Sequence, residues 1–185
     1  MGTYEGKVVI PNLNAAASGS LRVSSVVWSN QREAVKSAVG GVNYDRRGQN
    51  SDPLIQDGQK LVPNIRKVFR TDQNLYVYME VYDPAPEPSV AAALTFYRGR
   101  VKAYTSAPVR LTQTMSDRPG VMPVRFQIPL SALAPGKYTC QVNIIDEKAA
   151  RFAFPRTDLM VMRATPPPVA APKPAADAPA KPTQN

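Results

Sequence analysis

Alternation of apolar and polar residues is the strongest pattern in this sequence. In Leu75–Val81 every odd-numbered residue is apolar, and the residues between them are two tyrosines and a glutamate. The same period of two recurs in Val124–Leu130 and Tyr138–Ile144. Successive side chains of a β-strand point to opposite faces, so the pattern indicates strands that each bury one face. We expect the buried faces of several such strands to meet between two stacked sheets.

Further segments rich in β-branched and aromatic residues predict additional strands. They are Tyr4–Ile10, Leu21–Trp28, Leu61–Phe69, Ala92–Arg98, Arg100–Ser106 and Arg151–Met162. Turn sequences such as "DRPG" at 117–120 and "APG" at 134–136 separate the strands. The pattern predicts an all-β, immunoglobulin-like antiparallel β-sandwich of about seven to nine strands that spans residues 1–163. The single helix prediction is a short one near Gln31–Val39. Pro63 and Pro155 favour sheet edges or bulges.

Two segments depart from the strand pattern. Residues 29–60 are rich in Gly, Asn, Asp and Arg, which predicts a long irregular loop that is either functional or disordered. Residues 164–185 hold seven prolines and seven alanines, with no aromatic residue, Ile or Leu. Such a composition cannot bury enough apolar surface to offset the entropy of ordering, so we predict a disordered Pro/Ala-rich tail.

The residue inventory argues against most kinds of catalysis. The sequence has no histidine, the commonest general base near neutral pH and the commonest metal ligand. Its single cysteine, Cys140, lies in the apolar phase of a predicted strand, where burial keeps a thiol protonated and inert. The segment "DPLIQDG" at 52–58 lacks the ligand spacing of a calcium loop. We therefore expect no enzyme, with no catalytic residue, no cofactor and no bound metal.

The net charge of +9 favours acidic partners. The tail contributes only +1 of this charge, so the predicted sandwich carries +8. Such a charge favours contact with acidic partners in general, including nucleic acid, anionic lipid and acidic glycans. No apolar run reaches the length of about 18 residues that a membrane span requires. No charged and then apolar secretory leader follows Met1.

Six residues are candidates for an interaction surface: Tyr76, Tyr78, Tyr82, Arg98, Arg100 and Lys102. The tyrosines alternate along one strand, so they form either an ordinary outward face or a surface for a protein or a carbohydrate. Glu80 within the row disfavours nucleic acid. The basic residues surround Gly99 in a predicted hairpin, where they would line one side. There they would either protect a sheet edge from aggregation or bind an acidic polymer.

The segment "LSALAPGKYTCQVNIIDEKAARFAFPRTDLMV" resembles the closing strands of many immunoglobulin-like and macroglobulin-like modules. In those modules an L-x-P-G-x-Y turn precedes a strand that ends in Asp. The matching positions here are Leu133, Pro135, Gly136, Tyr138 and Asp146. Tyr138 resembles a tyrosine corner, in which the hydroxyl bonds back to the main chain.

Four blocks together resemble the region that follows the von Willebrand factor A-like domain in a group of secreted bacterial proteins. They are "GTYEGKVVIPNL", "LRVSSVVWSNQRE", "DGQKLVPNIRKVFRTDQNLYVYMEVYD" and "GKYTCQVNIIDEKAARFAFPR". The A-like domain itself is absent, so its metal and adhesive roles do not carry over. The resemblance implies an accessory, non-catalytic, extracytoplasmic module with a structural or protein-interaction role. It also favours an upstream domain in a longer polypeptide. The strand pattern that begins almost at Met1 indicates either a natural sheet edge or the second half of a hairpin whose partner lies upstream, and we favour a truncated start.

Overall fold

The computed structural model describes residues 19–35, 52–82, 88–112 and 118–164. The predicted strand at Tyr4–Ile10 and residues 165–185 of the predicted tail lie outside these ranges. The described residues form strands and one 3-10 turn at Leu130–Ala132. The strands are β1 (Arg22–Val23), β2 (Val27–Ser29), β3 (Gln31–Ala34), β4 (Ile55–Gln56), β5 (Gln59–Val62), β6 (Val68–Arg70), β7 (Asn74–Tyr82), β8 (Val90–Arg98), β9 (Val101–Thr105), β10 (Val109–Arg110), β11 (Val121–Pro129), β12 (Gly136–Asp146), β13 (Arg151–Ala153) and β14 (Arg156–Met162).

The smaller sheet of the sandwich is centred on β7. Strand β11 pairs antiparallel with β7 along its whole length, from Val121 opposite Tyr82 to Pro129 opposite Asn74. Strands β1 and β2 both pair with the other edge of β7 and act as one interrupted strand. Two prolines, Pro123 and Pro129, lie in β11, whose described partner is β7 alone. This position suits proline, which cannot donate a ladder hydrogen bond to a second neighbour.

The larger sheet is built around β8 and β12, which pair antiparallel from Thr139 opposite Tyr97 to Asp146 opposite Val90. Strands β9 and β10 share the outer edge of β8, and β13 and β14 share the outer edge of β12. Strand β6 then pairs in parallel with β14. Pro155 separates β13 from β14, and its carbonyl accepts the Val142 N–H at 2.9 Å. The interruption confirms the edge or bulge predicted at this proline.

The core lies between the two sheets and confirms the sandwich prediction. Val77 and Phe126 from the smaller sheet and Val142 from the larger sheet belong to one cluster of buried apolar residues. All four odd-numbered residues of Leu75–Val81 are at most 2% exposed. The described strands occupy three positions in the smaller sheet and five in the larger, within the predicted number.

A third sheet corrects the prediction for residues 29–60. Strands β3, β5 and β4 pair antiparallel in that order, so the described parts of this segment are largely strand rather than irregular loop. The helix predicted near Gln31–Val39 is wrong over Gln31–Ala34, which is β3; residues 36–39 lie outside the described ranges. Pairing with β5 outweighs the weak local helix preference, because sheet hydrogen bonds and packing override propensity.

The predicted tyrosine corner is present. The Tyr138 hydroxyl donates to the Ala134 carbonyl at 2.7 Å, while the ring of Tyr138 is 2% exposed and packs edge to face on Phe96. We expect Tyr138→Phe to lower the free energy of unfolding by about 1 kcal/mol, since it removes one hydrogen bond and leaves the ring. Urea denaturation measures the change. Tyr104→Phe is a matched control, and an equal loss in both variants would contradict a specific role of the Tyr138 hydroxyl.

Candidate functional site

The six candidate interaction residues do not form one surface. Tyr76, Tyr78 and Tyr82 lie on β7 in the smaller sheet, whereas Arg98, Arg100 and Lys102 lie at the β8–β9 hairpin of the larger sheet. The outer faces of the two sheets point to opposite sides of a sandwich. The two groups must therefore be considered as separate sites.

The tyrosine row is less exposed than the alternation predicts. Tyr78 is 6% exposed and Glu80 is 4% exposed, so the middle of the row is buried. Arg125, which lies opposite Tyr78 on β11, covers its ring at 5.5 Å from the centroid. Arg32 of the third sheet covers the Tyr76 ring at 4.4 Å. Tyr78 thus faces away from the core, as the alternation predicts, but it is buried because arginine side chains from neighbouring strands lie over the row.

Glu80 is the centre of a hydrogen-bonded cluster. Its two carboxylate oxygens accept the Tyr78 hydroxyl at 2.5 Å and the Tyr82 hydroxyl at 2.8 Å, and Arg118 forms an ion pair with it. Burial alone would raise the pKa of Glu80, but the hydrogen bonds from Tyr78, Tyr82 and Arg118 outweigh burial and lower it. Burial and the bond to Glu80 raise the pKa of Tyr78 and of Tyr82.

These shifts do not suit acid–base catalysis. The pKa of the carboxyl group is lowered and the pKa values of the two phenols are raised, so all three pKa values lie further from neutral pH than usual. A general acid or base works best when its pKa lies near the operating pH. Each group also makes a hydrogen bond to another member of the cluster. The arrangement therefore stabilises the outer face of β7.

The basic hairpin is exposed, but its residues are not on one side as predicted. Lys102 lies opposite Tyr97, and Arg98 lies opposite Val101 in the adjacent pair. Adjacent pairs in a ladder point to opposite faces, so Lys102 and Arg98 are separated. The guanidinium of Arg98 instead lies over Gly136, where an added Cβ would come within 3.2 Å of its Nη2 atom. Arg100 occupies the turn after Gly99.

An open depression of about 680 Å³ lies beside this hairpin on the larger sheet. It is lined by Tyr97, Gly99, Arg100, Thr139 and Arg156. Tyr97, Thr139 and Arg156 come from the neighbouring strands β8, β12 and β14. Thr139 pairs with Tyr97 on one side and with Asp158 on the other. Lys102 extends the same face through its pairing with Tyr97. The depression thus combines one aromatic ring with the cationic side chains of Arg100 and Arg156, and Lys102 lies next to it.

Polar side chains continue from the depression along the outer face. The Arg156 Nε donates to Gln141 Oε1 at 2.5 Å, and Asn143 Nδ2 donates to Thr95 Oγ1 at 2.9 Å. The Thr139 hydroxyl donates to Asp158 at 2.7 Å, and Lys137 pairs with Asp158 at 3.1 Å. Sequence reasoning placed Thr139 and Gln141 in the polar phase of a strand. It missed Thr139 and Arg156 as site residues, because only the strand register brings them beside Tyr97.

The described residues offer little for a metal or a reactive thiol. They contain no group of three or more His, Cys, Asp or Glu side chains placed to hold a metal ion. Cys140 is fully buried, and burial raises the pKa of its thiol, as the sequence predicts for an inert cysteine. Across the same residues, no helix has the length and hydropathy that a bilayer crossing requires.

Comparisons with known proteins give no family. No protein-family model matches the chain, and no curated protein sequence is significantly similar to it. Among solved structures, the chain is similar to the C-terminal domain of wzt, with a TM-score of 0.39, 13% identity, and coverage of 53% of this chain and 65% of that one. It is also similar to a β-glucosidase from Listeria innocua in complex with glucose, with a TM-score of 0.33 and 10% identity.

The second alignment covers 53% of this chain and 15% of the glucosidase. The chain therefore spans less than two thirds of the length of either matched structure. Strand pairing and the shared core establish the protein as an all-β sandwich.

Proposed function

We propose that this β-sandwich is a non-catalytic module that binds an acidic polysaccharide at the Tyr97 depression. The observation that carries the proposal is the open site in which the Tyr97 ring, the Thr139 hydroxyl and the cations Arg100 and Arg156 come together, with Lys102 paired to Tyr97 on the adjacent strand. An open face suits a polymer, because a chain longer than the site can continue past both ends.

The aromatic and polar groups match the chemistry of sugars. A sugar ring has an apolar C–H face and a rim of hydroxyl groups. The ring of Tyr97 offers a flat surface for the C–H face, and its hydroxyl remains a hydrogen-bonding group. The Thr139 hydroxyl donates to Asp158 and can still accept a hydrogen bond from a sugar hydroxyl.

The cations select an acidic sugar over a neutral one. Among the described residues, no carboxylate forms an ion pair with Arg100 or Lys102. Arg156 is oriented by Gln141, an uncharged partner that leaves its positive charge unneutralised. Carboxylate or sulfate groups of a glycan would meet these charges through charge-assisted hydrogen bonds.

The lining of the depression favours binding without hydrolysis. Glycoside hydrolysis commonly requires two carboxyl groups that flank the scissile bond, about 5 to 10 Å apart. Among the residues that the structure describes, no carboxylate lines this depression, and the neighbouring Asp158 accepts from Thr139 and pairs with Lys137. The absence of a catalytic role is part of the proposal.

Isothermal titration with oligoguluronate, a chain of uronic acid units, tests the proposal. We expect Tyr97→Ala and Arg100→Gln each to raise the Kd by roughly tenfold, because each removes a contact worth about 1–2 kcal/mol. Arg125→Gln is the matched control, since it removes the same charge from the opposite sheet. Equal binding of a neutral cello-oligosaccharide, or an equal loss in the control, would contradict the proposal.

Nucleic acid is the competing polyanion. Single-stranded nucleic acid binders combine a basic groove with several aromatic rings that stack successive bases. The Tyr97 depression has one ring among its lining residues. We expect single-stranded DNA to bind more weakly than oligoguluronate at 150 mM salt. Tighter DNA binding with a steep loss of affinity at higher salt would replace the glycan proposal with general polyanion binding.

The other expectations from the sequence remain part of this proposal. They are a structural or protein-interaction role, a relation to the region after von Willebrand factor A-like domains, and an extracytoplasmic location. Binding of an acidic glycan supports the location, because such polymers are abundant at cell surfaces. Fractionation of the native cells, with the protein followed by antibody, tests it; recovery only in the cytoplasm would contradict it.

A further inference from the structure

We propose that the acidic polysaccharide extends from the Tyr97 depression to a second contact, formed by Phe152, Ile145 and Arg110 towards the other end of the same sheet face. This inference rests on the proposed function, and it adds the path and the minimum length of the bound chain. The observation that carries it is a row of exposed apolar, aromatic and cationic side chains on the outer face of the larger sheet.

Three large apolar side chains are exposed beside one another on this face. Ile145 is 44% exposed, and Phe152, which lies opposite it on β13, is 52% exposed. Phe154 is 43% exposed and stacks on Phe152, with ring centroids 5.3 Å apart. The neighbours Ile144 and Ala153 belong to the core or pack against it, so Ile145 and Phe152 point outward. Contiguous exposed apolar surface of this kind marks an interaction site.

Strand pairing places an exposed arginine in line with these apolar side chains. Arg110 of β10 lies opposite Ala91 of β8, which in turn lies opposite Ile145 of β12. Ile145 lies opposite Phe152, so these four residues form one row across four strands, which we call the Phe152 row. Arg110 is exposed, and among the described residues no carboxylate forms an ion pair with it. The row therefore combines apolar surface with a positive charge that an acidic ligand can meet.

The Phe152 row lies on the same face as the Tyr97 depression. Thr139 of the depression and Ile145 of the row both point outward from β12. The alternate residues between them, which lie in the core, are Cys140, Val142 and Ile144. The six positions from Thr139 to Ile145 span about 20 Å, at a rise of about 3.4 Å per residue. A disaccharide is too short to reach both contacts, whereas a longer chain can.

The surface between the two contacts suits an acidic chain. The outward residues of β8 and β12 between them are uncharged, and they are Ala93, Thr95, Gln141 and Asn143. These positions therefore do not repel a polyanion that follows the strands. Arg156 of β14 lies opposite Gln141 and adds a positive charge beside this path.

Each contact offers the same pair of chemical groups. Tyr97 has Arg100 beside it in the depression, and Phe152 shares its row with Arg110. An aromatic ring provides apolar surface for the C–H face of a sugar, and an arginine binds a carboxylate through charge-assisted hydrogen bonds. A second copy of this protein fits the row less well, because its net charge of +9 would oppose Arg110. The charges thus favour the polysaccharide as the occupant.

Isothermal titration of the full chain with a guluronate disaccharide and a guluronate decasaccharide tests this inference. We expect the decasaccharide to bind the native protein more tightly. Phe152→Ala should raise its Kd roughly fivefold and Arg110→Gln roughly tenfold, because the first loses an aromatic contact and the second a charge-assisted hydrogen bond. Neither substitution should change the Kd of the disaccharide. A longer chain can also bind in more registers, but that statistical gain is common to all variants and does not imitate this result.

Two substitutions away from the Phe152 row are matched controls. Ile65→Ala removes an apolar side chain that is 91% exposed in the turn before β6, and Arg125→Gln removes an arginine from the opposite sheet. We expect both to leave the Kd of the decasaccharide unchanged. Phe152 and Arg110 are exposed, so their substitution leaves the core intact. An equal loss of affinity in Ile65→Ala and Phe152→Ala would overturn the inference.

The outcomes separate this inference from the proposed function. If Tyr97→Ala weakens binding of both oligosaccharides but neither Phe152→Ala nor Arg110→Gln weakens binding of the decasaccharide, the proposed function stands and the second contact is overturned. If neither oligosaccharide binds the native protein, both proposals fail. Self-association in sedimentation experiments that Phe152→Ala abolishes, with unchanged affinity for the decasaccharide, would assign the row to a second copy and overturn the inference as well.

Discussion

Phe96→Ala is expected to lower the free energy of unfolding by about 3–5 kcal/mol. Phe96 is fully buried on β8, in the middle of the larger sheet, opposite Cys140. Its ring meets the edges of Tyr104 and Tyr138, with centroids 5.9 and 6.5 Å apart. The substitution therefore removes apolar burial and two aromatic contacts and leaves a cavity that neighbouring strands cannot close. Domains of this size are stable by about 5–15 kcal/mol, so the loss is a large fraction of the total.

Urea denaturation followed by far-ultraviolet circular dichroism measures this loss. A lower midpoint at unchanged slope would report stability rather than an altered unfolded state. Phe152→Ala is the matched control, because Phe152 is 52% exposed and stacks only on the partly exposed Phe154. We expect that control to cost less than about 1 kcal/mol. Similar losses in the two variants would contradict the placement of Phe96 between the sheets.

Glu80→Gln is expected to cost about 1–3 kcal/mol at pH 7, since it removes the anionic acceptor of three hydrogen bonds. The Tyr78 and Tyr82 hydroxyls would lose a charged partner, and Arg118 would lose its ion pair. Glu147→Gln is the matched control, because Glu147 is exposed in the turn after β12. A cost in the control equal to that in Glu80→Gln would contradict the structural role of the cluster.

The stability lost in Glu80→Gln depends on pH in a defined way. The folded protein lowers the pKa of Glu80 below its ordinary value of about 4.3, so the folded state favours the ionised carboxylate. The stabilisation is therefore fully present above that ordinary value and disappears as the pH falls through the lower, folded value. We expect the stability difference between the native protein and Glu80→Gln to shrink below about pH 4.3. A constant difference from pH 7 to pH 3 would contradict this assignment.

Residues 74–82 show which features of a strand its periodicity predicts and which it does not. Alternation correctly predicted that Leu75, Val77, Met79 and Val81 face the core, because a period of two permits only one apolar face. It did not predict the burial of Tyr78 and Glu80, which face outward. Their cover comes from Arg125 on β11 and from Arg118, which lie 47 positions from Tyr78 and 38 positions from Glu80 in sequence. Contacts of this kind depend on strand pairing, which the local sequence does not encode.

The third sheet illustrates a different limit. The composition of residues 29–60 predicted an irregular loop, because Gly, Asn and Asp disfavour strands when they are considered locally. In the structure, β3 is held by pairing with β5, with Gln31 opposite Val62 and Ala34 opposite Gln59. Strand propensity is strongly dependent on such partners. Arg32 covers the Tyr76 ring because this sheet lies against the smaller sheet of the sandwich.

The sequence by itself determined the class of this protein: an all-β sandwich with an inert cysteine. These properties depend on residue type and on a spacing of two positions, which an extended chain translates directly into sheet faces. The resemblance to immunoglobulin-like modules added the tyrosine corner at Tyr138. Tertiary structure alone decided the sites. It separated the tyrosine row from the basic hairpin and brought Thr139 and Arg156 beside Tyr97, because strand order and register bring together residues that are distant in the chain.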